Sequence, residues 1–190
     1  MGTSAIRSRR GQSSGSSALT AAGLQSRIIW ISSATIALFV AVALLSFNAG
    51  DSPSHVVAVH NDPASNWCGI VGAWIAYWTY HVLGFGVWVL LAGIAAWVTL
   101  VFRGAEISHT AIRALGFLIM ALAVSCFHEL FFPELGTLAG AKAGLIAKTI
   151  VTQLETSFSG FGAFLIVLAA FSIGLVVGAE KIAFAITHVI

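Results

Sequence analysis

The chain has 190 residues, of which 58% are hydrophobic and only 8% charged, with a mean hydropathy of +0.97. A soluble domain carries roughly 25% charged residues, so this composition excludes a water-soluble catalytic or nucleic-acid-binding domain and specifies an integral membrane protein. The net charge of +2 decides little as a sum, because the placement of the charges carries the information.

Residues 1–26 are rich in Ser, Gly and Arg, include Arg7, Arg9 and Arg10, and show no apolar periodicity. Such a segment cannot bury enough surface to fold, so it is expected to be a disordered basic tail. Arg27 opens the first uncharged run, residues 28–47. Its 20 residues match the roughly 20 that cross the hydrocarbon core as a helix and exceed the 7 to 15 of a signal-peptide core. A turn-rich loop follows over residues 48–66, with Asn48, Gly50, Asp51, Pro53, Asp62 and Pro63.

From Trp67 to Phe102 run 36 residues without one Asp, Glu, Lys or Arg. That exceeds a single crossing, and Gly84-Phe85-Gly86 divides it where glycine twice within three residues makes a poor helix interior. The first half holds Trp67, Trp74, Trp78 and both tyrosines, residues that gather at the membrane–water boundary. The prediction is an interfacial or re-entrant outer helix feeding a second span at residues 84–102. A polar link over 103–113 leads to a third span at 114–132, with His128 and Glu129 near its far end and Pro133 stopping it. Residues 137–158 are less apolar, the fourth span covers 160–179, and residues 183–190 begin a cytoplasmic linker.

The expected fold is therefore all-α: four transmembrane helices in a membrane domain over 27–182, arranged as two hairpins, each with an outer interfacial or re-entrant helix. Arg7, Arg9, Arg10, Arg27, Arg103, Arg113 and Lys181 fall on one side of this arrangement and only Lys142 and Lys148 on the other. Seven against two places both termini in the cytoplasm by the positive-inside rule. Cys68 and Cys126 then lie near the same membrane face, and two thiols leave the redox compartment open.

The fourth span begins Gly160-Phe161-Gly162, echoing Gly84-Phe85-Gly86, and each motif follows an outer segment containing paired glycines. On a helical wheel of 145–158, Ile146, Ile150, Val151, Leu154 and Phe158 share one arc and Lys148, Thr152, Glu155 and Thr156 the other, a pattern suited to lying at an interface. The chain thus reads as two copies of one unit, with re-entrant turns at Gly84, Gly86, Gly160 and Gly162.

Little chemistry is on offer. Intramembrane ionisable groups are the usual functional hint, and His128 with Glu129 is the sole candidate polar site, read chiefly as a boundary pair touching water. His55, His60, Asp62 and Cys68 fit no standard ligand spacing, so no metal is expected. No phosphate loop is present: residues 136–142 come nearest, with Ala141 where the second glycine belongs. No catalytic residue, cofactor or metal site is assigned. Gly174 and Gly178 form a G-x-x-x-G pair, and Gly136, Gly140 and Gly144 repeat every four residues. This spacing lets helix backbones approach closely in lipid, within the bundle or between subunits.

The order of motifs resembles a known family. A basic N-terminus leads into a span ending Leu44-Leu45-Ser46-Phe47-Asn48. A loop with Asp51-Ser52-Pro53 follows, then Asn66-Trp67-Cys68-Gly69-Ile70-Val71-Gly72-Ala73, then Leu83-Gly84-Phe85-Gly86. This is similar to the four-span N-terminal domain of the FtsK/SpoIIIE DNA translocases, with Phe47-Asn48 standing where Tyr-Asp is usual. The resemblance covers about residues 28–180. It implies a multi-pass anchor in the bacterial inner membrane that contacts the bilayer, forms a homo-oligomer, meets division-septum proteins and reaches DNA only through a motor domain. That motor is absent from these residues, so no enzymatic activity is expected of them. The alternative is a small transporter or channel subunit gated by re-entrant helices, which wants mid-membrane polar groups that the sequence lacks.

Overall fold

The structure, a computed structural model, describes residues 4–103, 109–135 and 143–187, with side chains for residues 24–25, 27–103, 109–135 and 143–178. All the regular elements described are helical: α1 (Ser4–Leu45), α2 (Gly69–Leu83), α3 (Val87–Phe102), α4 (Thr110–Phe131) and α5 (Leu145–Thr187). Four stretches are long and apolar enough to cross a membrane: Arg27–Leu45, Gly69–Phe102, Thr110–Phe131 and Leu145–Gly178. In lipid every backbone N–H and C=O must be paired within the segment, which leaves the helix as the default for such runs. The three prolines, Pro53, Pro63 and Pro133, all fall outside the helices.

Two boundaries differ from expectation. The backbone is already helical at Ser4, so the segment expected to be a disordered tail continues α1. No proline precedes residue 53, and a helix anchored in its apolar part extends with one hydrogen bond gained per residue ordered. At the other end α5 runs on through Thr187, beyond the predicted end of the span at 179.

Packing sorts the chain into two halves. Ala43 and Leu44 of α1, Ala76, Tyr77 and Tyr80 of α2, and Val87 of α3 form one buried cluster. At the far end of α3, the Trp30 indole N–H donates to the Val98 carbonyl at 2.9 Å and its ring stacks on Phe102 at 5.0 Å. Ala123 and Cys126 of α4 pack with Ala143, Ala147, Val151 and Val167 in the second cluster, where α4 and α5 make the most extensive contact in the chain. Gly116 on α4 faces Gly174 and Gly178 on α5 so closely that a Cβ on Gly116 would lie 2.5 Å from the Gly178 nitrogen.

Both long helices break, but not alike. At the first break Gly84 has φ 61° and ψ −140°, and residues 84–86 form a single 3₁₀ turn. The second break was expected at Gly160–Gly162 and falls at Ser159 instead, with φ 61° and ψ 170°. Gly160 and Gly162 are already helical. The region Ser159 occupies is essentially reserved for glycine and costs about 1–3 kcal/mol for other residues. Ser159→Gly should therefore raise the stability of the purified protein in detergent by about 1 kcal/mol, after the added chain entropy of glycine is subtracted. A Tm equal to or below wild type would contradict the strain.

The amphipathic helix also differs in its use. Val151 is buried and Ile150 and Leu154 pack beside it against α4, while Lys148, Thr152, Glu155 and Thr156 are exposed. The centre of the apolar arc is thus turned toward α4, because α4 is apolar on the facing side. Only its edges, Ile146 and Phe158, remain open.

Candidate functional site

The loop between α1 and α2 is organised around one carboxylate. Asp51 is 2% exposed. It accepts hydrogen bonds from the Asn61 amide (2.8 Å), the Ser65 backbone N–H (2.8 Å), the Ser65 hydroxyl and the Asn66 backbone N–H (2.9 Å). Burial by itself would raise the pKa of this group, but the donors from Ser65, Asn61 and Asn66 together outweigh it and hold the carboxyl below its usual 3.8. Asn66, fixed by that contact, joins two helix ends. Its amide donates to the carbonyls of Ala43 and Ser46 at the end of α1, and its side-chain oxygen accepts from the Cys68 N–H at the start of α2. These are the orphan groups that every helix end must satisfy. Gly72 leaves the space for it, since a Cβ there would lie 2.4 Å from the Asn66 side-chain oxygen. Beyond the clamp, His55 Nδ1 meets the Tyr77 hydroxyl at 2.9 Å, and the Tyr77 ring stacks on His81.

The second constellation joins the two halves of the chain at the first break. Ser125, 1% exposed in the middle of α4, accepts from the Gly86 N–H at 2.9 Å and donates to the Leu83 carbonyl. Backbone groups freed where a helix breaks in a membrane need such partners. Around it the chain leaves no room for side chains: a Cβ on Gly84 would lie 2.0 Å from the Ala143 carbonyl oxygen, and one on Gly86 would lie 2.1 Å from that of Ala121. Gly144 meets Gly84 from the other side with φ 92°. Ser125→Ala removes the partner of the buried Gly86 N–H and of the part-buried Leu83 carbonyl and should lower stability by about 2 kcal/mol. Urea or SDS titration of the purified variant checks this, and a loss under about 0.5 kcal/mol would mean that water or the backbone takes over.

Gly84, Gly86 and Gly144 therefore meet in one junction within the chain, and Gly174 with Gly178 forms a second contact with Gly116. Gly136 and Gly140 lie outside the described residues. Gly160 is exposed, and the nearest atom to a Cβ there is a Glu155 carboxylate oxygen at 3.9 Å, so the two Gly-Phe-Gly motifs occupy unlike surroundings. His128 stacks on Phe85 at 5.7 Å, ties α4 to the same junction, and keeps an unpartnered buried Nδ1. No described hydrogen bond joins it to Glu129. Among the described residues no three His, Cys, Asp or Glu side chains gather into a metal site, and Cys68 and Cys126 are free thiols. Sequence reasoning missed Ser125 and Gly116 altogether; a lone serine within an apolar span was the available signal for the first.

Asp51, Asn66 and Gly72 of the clamp and Gly84 and Gly86 of the junction fall within the stretches on which the sequence resemblance rests, Asp51-Ser52-Pro53 and residues 66–86. No curated protein and no solved structure matches the chain. A family model does match it, over residues 23–188, and the chain belongs to that family, the 4TM region of DNA translocase FtsK/SpoIIIE.

Proposed function

We propose that this region anchors a DNA-translocating assembly in the bacterial cytoplasmic membrane at the division septum, and that it does so as a homo-oligomer. The observation that carries the reading is the family match over residues 23–188, which coincides with four apolar helices long enough to span. No motor domain lies within these 190 residues. The clamp and the junction suit an anchor, because the hydrogen bonds of Asp51, Asn66 and Ser125 go to fixing loop and helix-end geometry. Surface for self-association or for other septal proteins is plentiful, since α2 exposes Ile70, Val71, Trp74 and Trp78 along one side, next to Trp67 at 80% exposure. Seven basic residues against two orient both termini toward the cytoplasm and the Asp51 loop outward.

A fluorescent fusion of the full chain in dividing cells, together with native mass spectrometry in mild detergent, tests the proposal. Septal bands and a discrete oligomer are expected. An even membrane distribution together with a monomer would overturn it. Alkaline phosphatase joined after residue 60 should be active and joined after residue 103 inactive; the reverse pattern would invert the topology.

A further inference from the structure

The two helices of the longest uncharged run meet α1 in different ways. α3 runs beside it: Val87 packs with Ala43 and Leu44, and the far end of α3 meets Trp30 through Val98 and Phe102. The two helices thus pass each other in step and in opposite directions. α2 does not. Just before its start, Asn66 bonds the Ala43 and Ser46 carbonyls, and Cys68 Sγ donates to the Phe39 carbonyl at 3.6 Å. Near its end, the Tyr80 hydroxyl still reaches the Leu44 carbonyl at 3.4 Å, and the Tyr80 ring lies 5.3 Å from Phe47. A helix advances about 18 Å from residue 68 to residue 80, which alongside α1 would carry Tyr80 about twelve residues away. Both ends of α2 instead touch residues 39–47, so α2 lies across the end of α1.

We infer that α2 lies in the plane of the membrane and that its exposed side is a docking surface for bilayer lipid, at the boundary between acyl chains and headgroups in the leaflet nearest the Asp51 loop. The second crossing is then made by α3 alone. Its length closes the argument. Sixteen residues of α3 measure about 24 Å and the 3₁₀ turn adds about 6 Å, together the roughly 30 Å of a hydrocarbon core, and Arg103 follows directly. α2 therefore begins at the far edge of that core, not in the water beyond it. The side chemistry agrees. Gly72, Ala73, Ala76, Tyr77 and Tyr80 are buried against the chain. The other side exposes Ile70, Val71, Trp74 and Trp78, with Trp67 just before the helix. An indole combines an apolar body with one polar N–H, which suits this depth, and three at helical spacing on a helix in the plane share one depth. The polar cover sits on a different flank, where His55 of the loop meets Tyr77 at 2.9 Å and packs against His81. Lipid is the occupant because a helix lying at the level of the last turns of a spanning helix is ringed by it.

Nitroxide labels on the full chain, in vesicles of phosphatidylethanolamine and phosphatidylglycerol, test this. Ile70→Cys, Trp74→Cys and Trp78→Cys are each labelled in Cys68→Ser protein, with the buried Cys126 left in place. Val71→Cys replaces any of them that lowers the Tm. Ala95→Cys and Thr99→Cys, on exposed positions of α3, report a crossing helix. Power saturation by oxygen and by a water-soluble nickel chelate gives the depth of each label. The α2 labels should agree in depth to within one helical turn, about 5 Å, while the two α3 labels differ by about 6 Å. Oxygen should reach the α2 labels better than the chelate does. A steady change of depth totalling about 12 Å from residue 70 to residue 78 would make α2 part of the crossing and overturn the inference. Labels reached best by the chelate would place that side in water. Labels reached by neither would mean that a second copy or another protein covers it, and either result overturns the lipid surface.

Discussion

Gly84→Ala should destabilise the protein by about 4 kcal/mol, combining roughly 1–3 kcal/mol for a β-carbon at this backbone conformation with roughly 1–3 kcal/mol for overpacking. Gly84 sits at φ 61° and its added Cβ would lie 2.0 Å from the Ala143 carbonyl oxygen, which belongs to backbone and has no rotamer to escape into. Relief requires the Ala143–Gly144 segment leading into α5 to move away from the end of α2, and that movement opens the Gly84–Gly144 contact. The informative comparison is Gly160→Ala in the second Gly-Phe-Gly motif. Gly160 is helical and exposed, with nothing nearer than 3.9 Å to the new Cβ, so alanine there should be neutral or stabilising by up to about 1 kcal/mol through helix propensity. Equilibrium unfolding of both variants in the same detergent decides the matter. Equal effects of either sign would mean that the two motifs are structurally equivalent and that the tight contact at Gly84 does not exist.

Asp51→Ala is expected to cost about 3–4 kcal/mol and to loosen the outer loop as a unit. The substitution leaves the buried Asn66 backbone N–H and the part-buried Ser65 N–H without their acceptor, at about 1–3 kcal/mol for an unsatisfied buried group. It also releases Asn66, so the ends of α1 and α2 lose their shared cap. Asp51→Asn, which keeps the shape but turns one oxygen into a donor facing other donors, should be nearly as harmful. The carboxyl is held below the ordinary value by its donors, so the folded state binds the proton more weakly than the unfolded one. Its contribution is therefore complete above the unfolded carboxylate pKa, about 3.9, and is lost as pH falls through the folded value. Wild type should show a Tm that is flat near neutrality and drops below about pH 4, whereas the acid-side drop should be shallower in Asp51→Asn. A parallel pH dependence in the two proteins would show that other carboxylates govern acid stability.

Much of this architecture could be read along the chain because lipid makes the reading local. A run without charges must be helical in a bilayer, and its length fixes whether it crosses. Proline and glycine then mark the interruptions, as Pro133 beyond α4 and Gly84 within the long run both do. The second interruption slipped from Gly160 to Ser159 because a motif of three residues specifies a weak point without specifying which residue leaves the helix.

Membrane residence, four apolar helices, the break at Gly84 and the family were thus determined by the sequence alone. Partner choice belonged to the tertiary structure. In a helix that is apolar on every side, no contrast between faces tells which one meets protein and which meets lipid, so the packing of Gly174 on Gly116 rather than on another subunit was not readable. The amphipathic arc of α5 was visible, yet only the position of α4 decided that its centre would be covered by protein. Asp51 and Ser125 looked like one loop acidic residue and one stray hydroxyl, since their partners stand 10 to 15 and 39 to 42 residues away. A buried polar group takes its meaning from the donors and acceptors that folding brings to it, and those distances in sequence are why the clamp and the junction became apparent only in three dimensions.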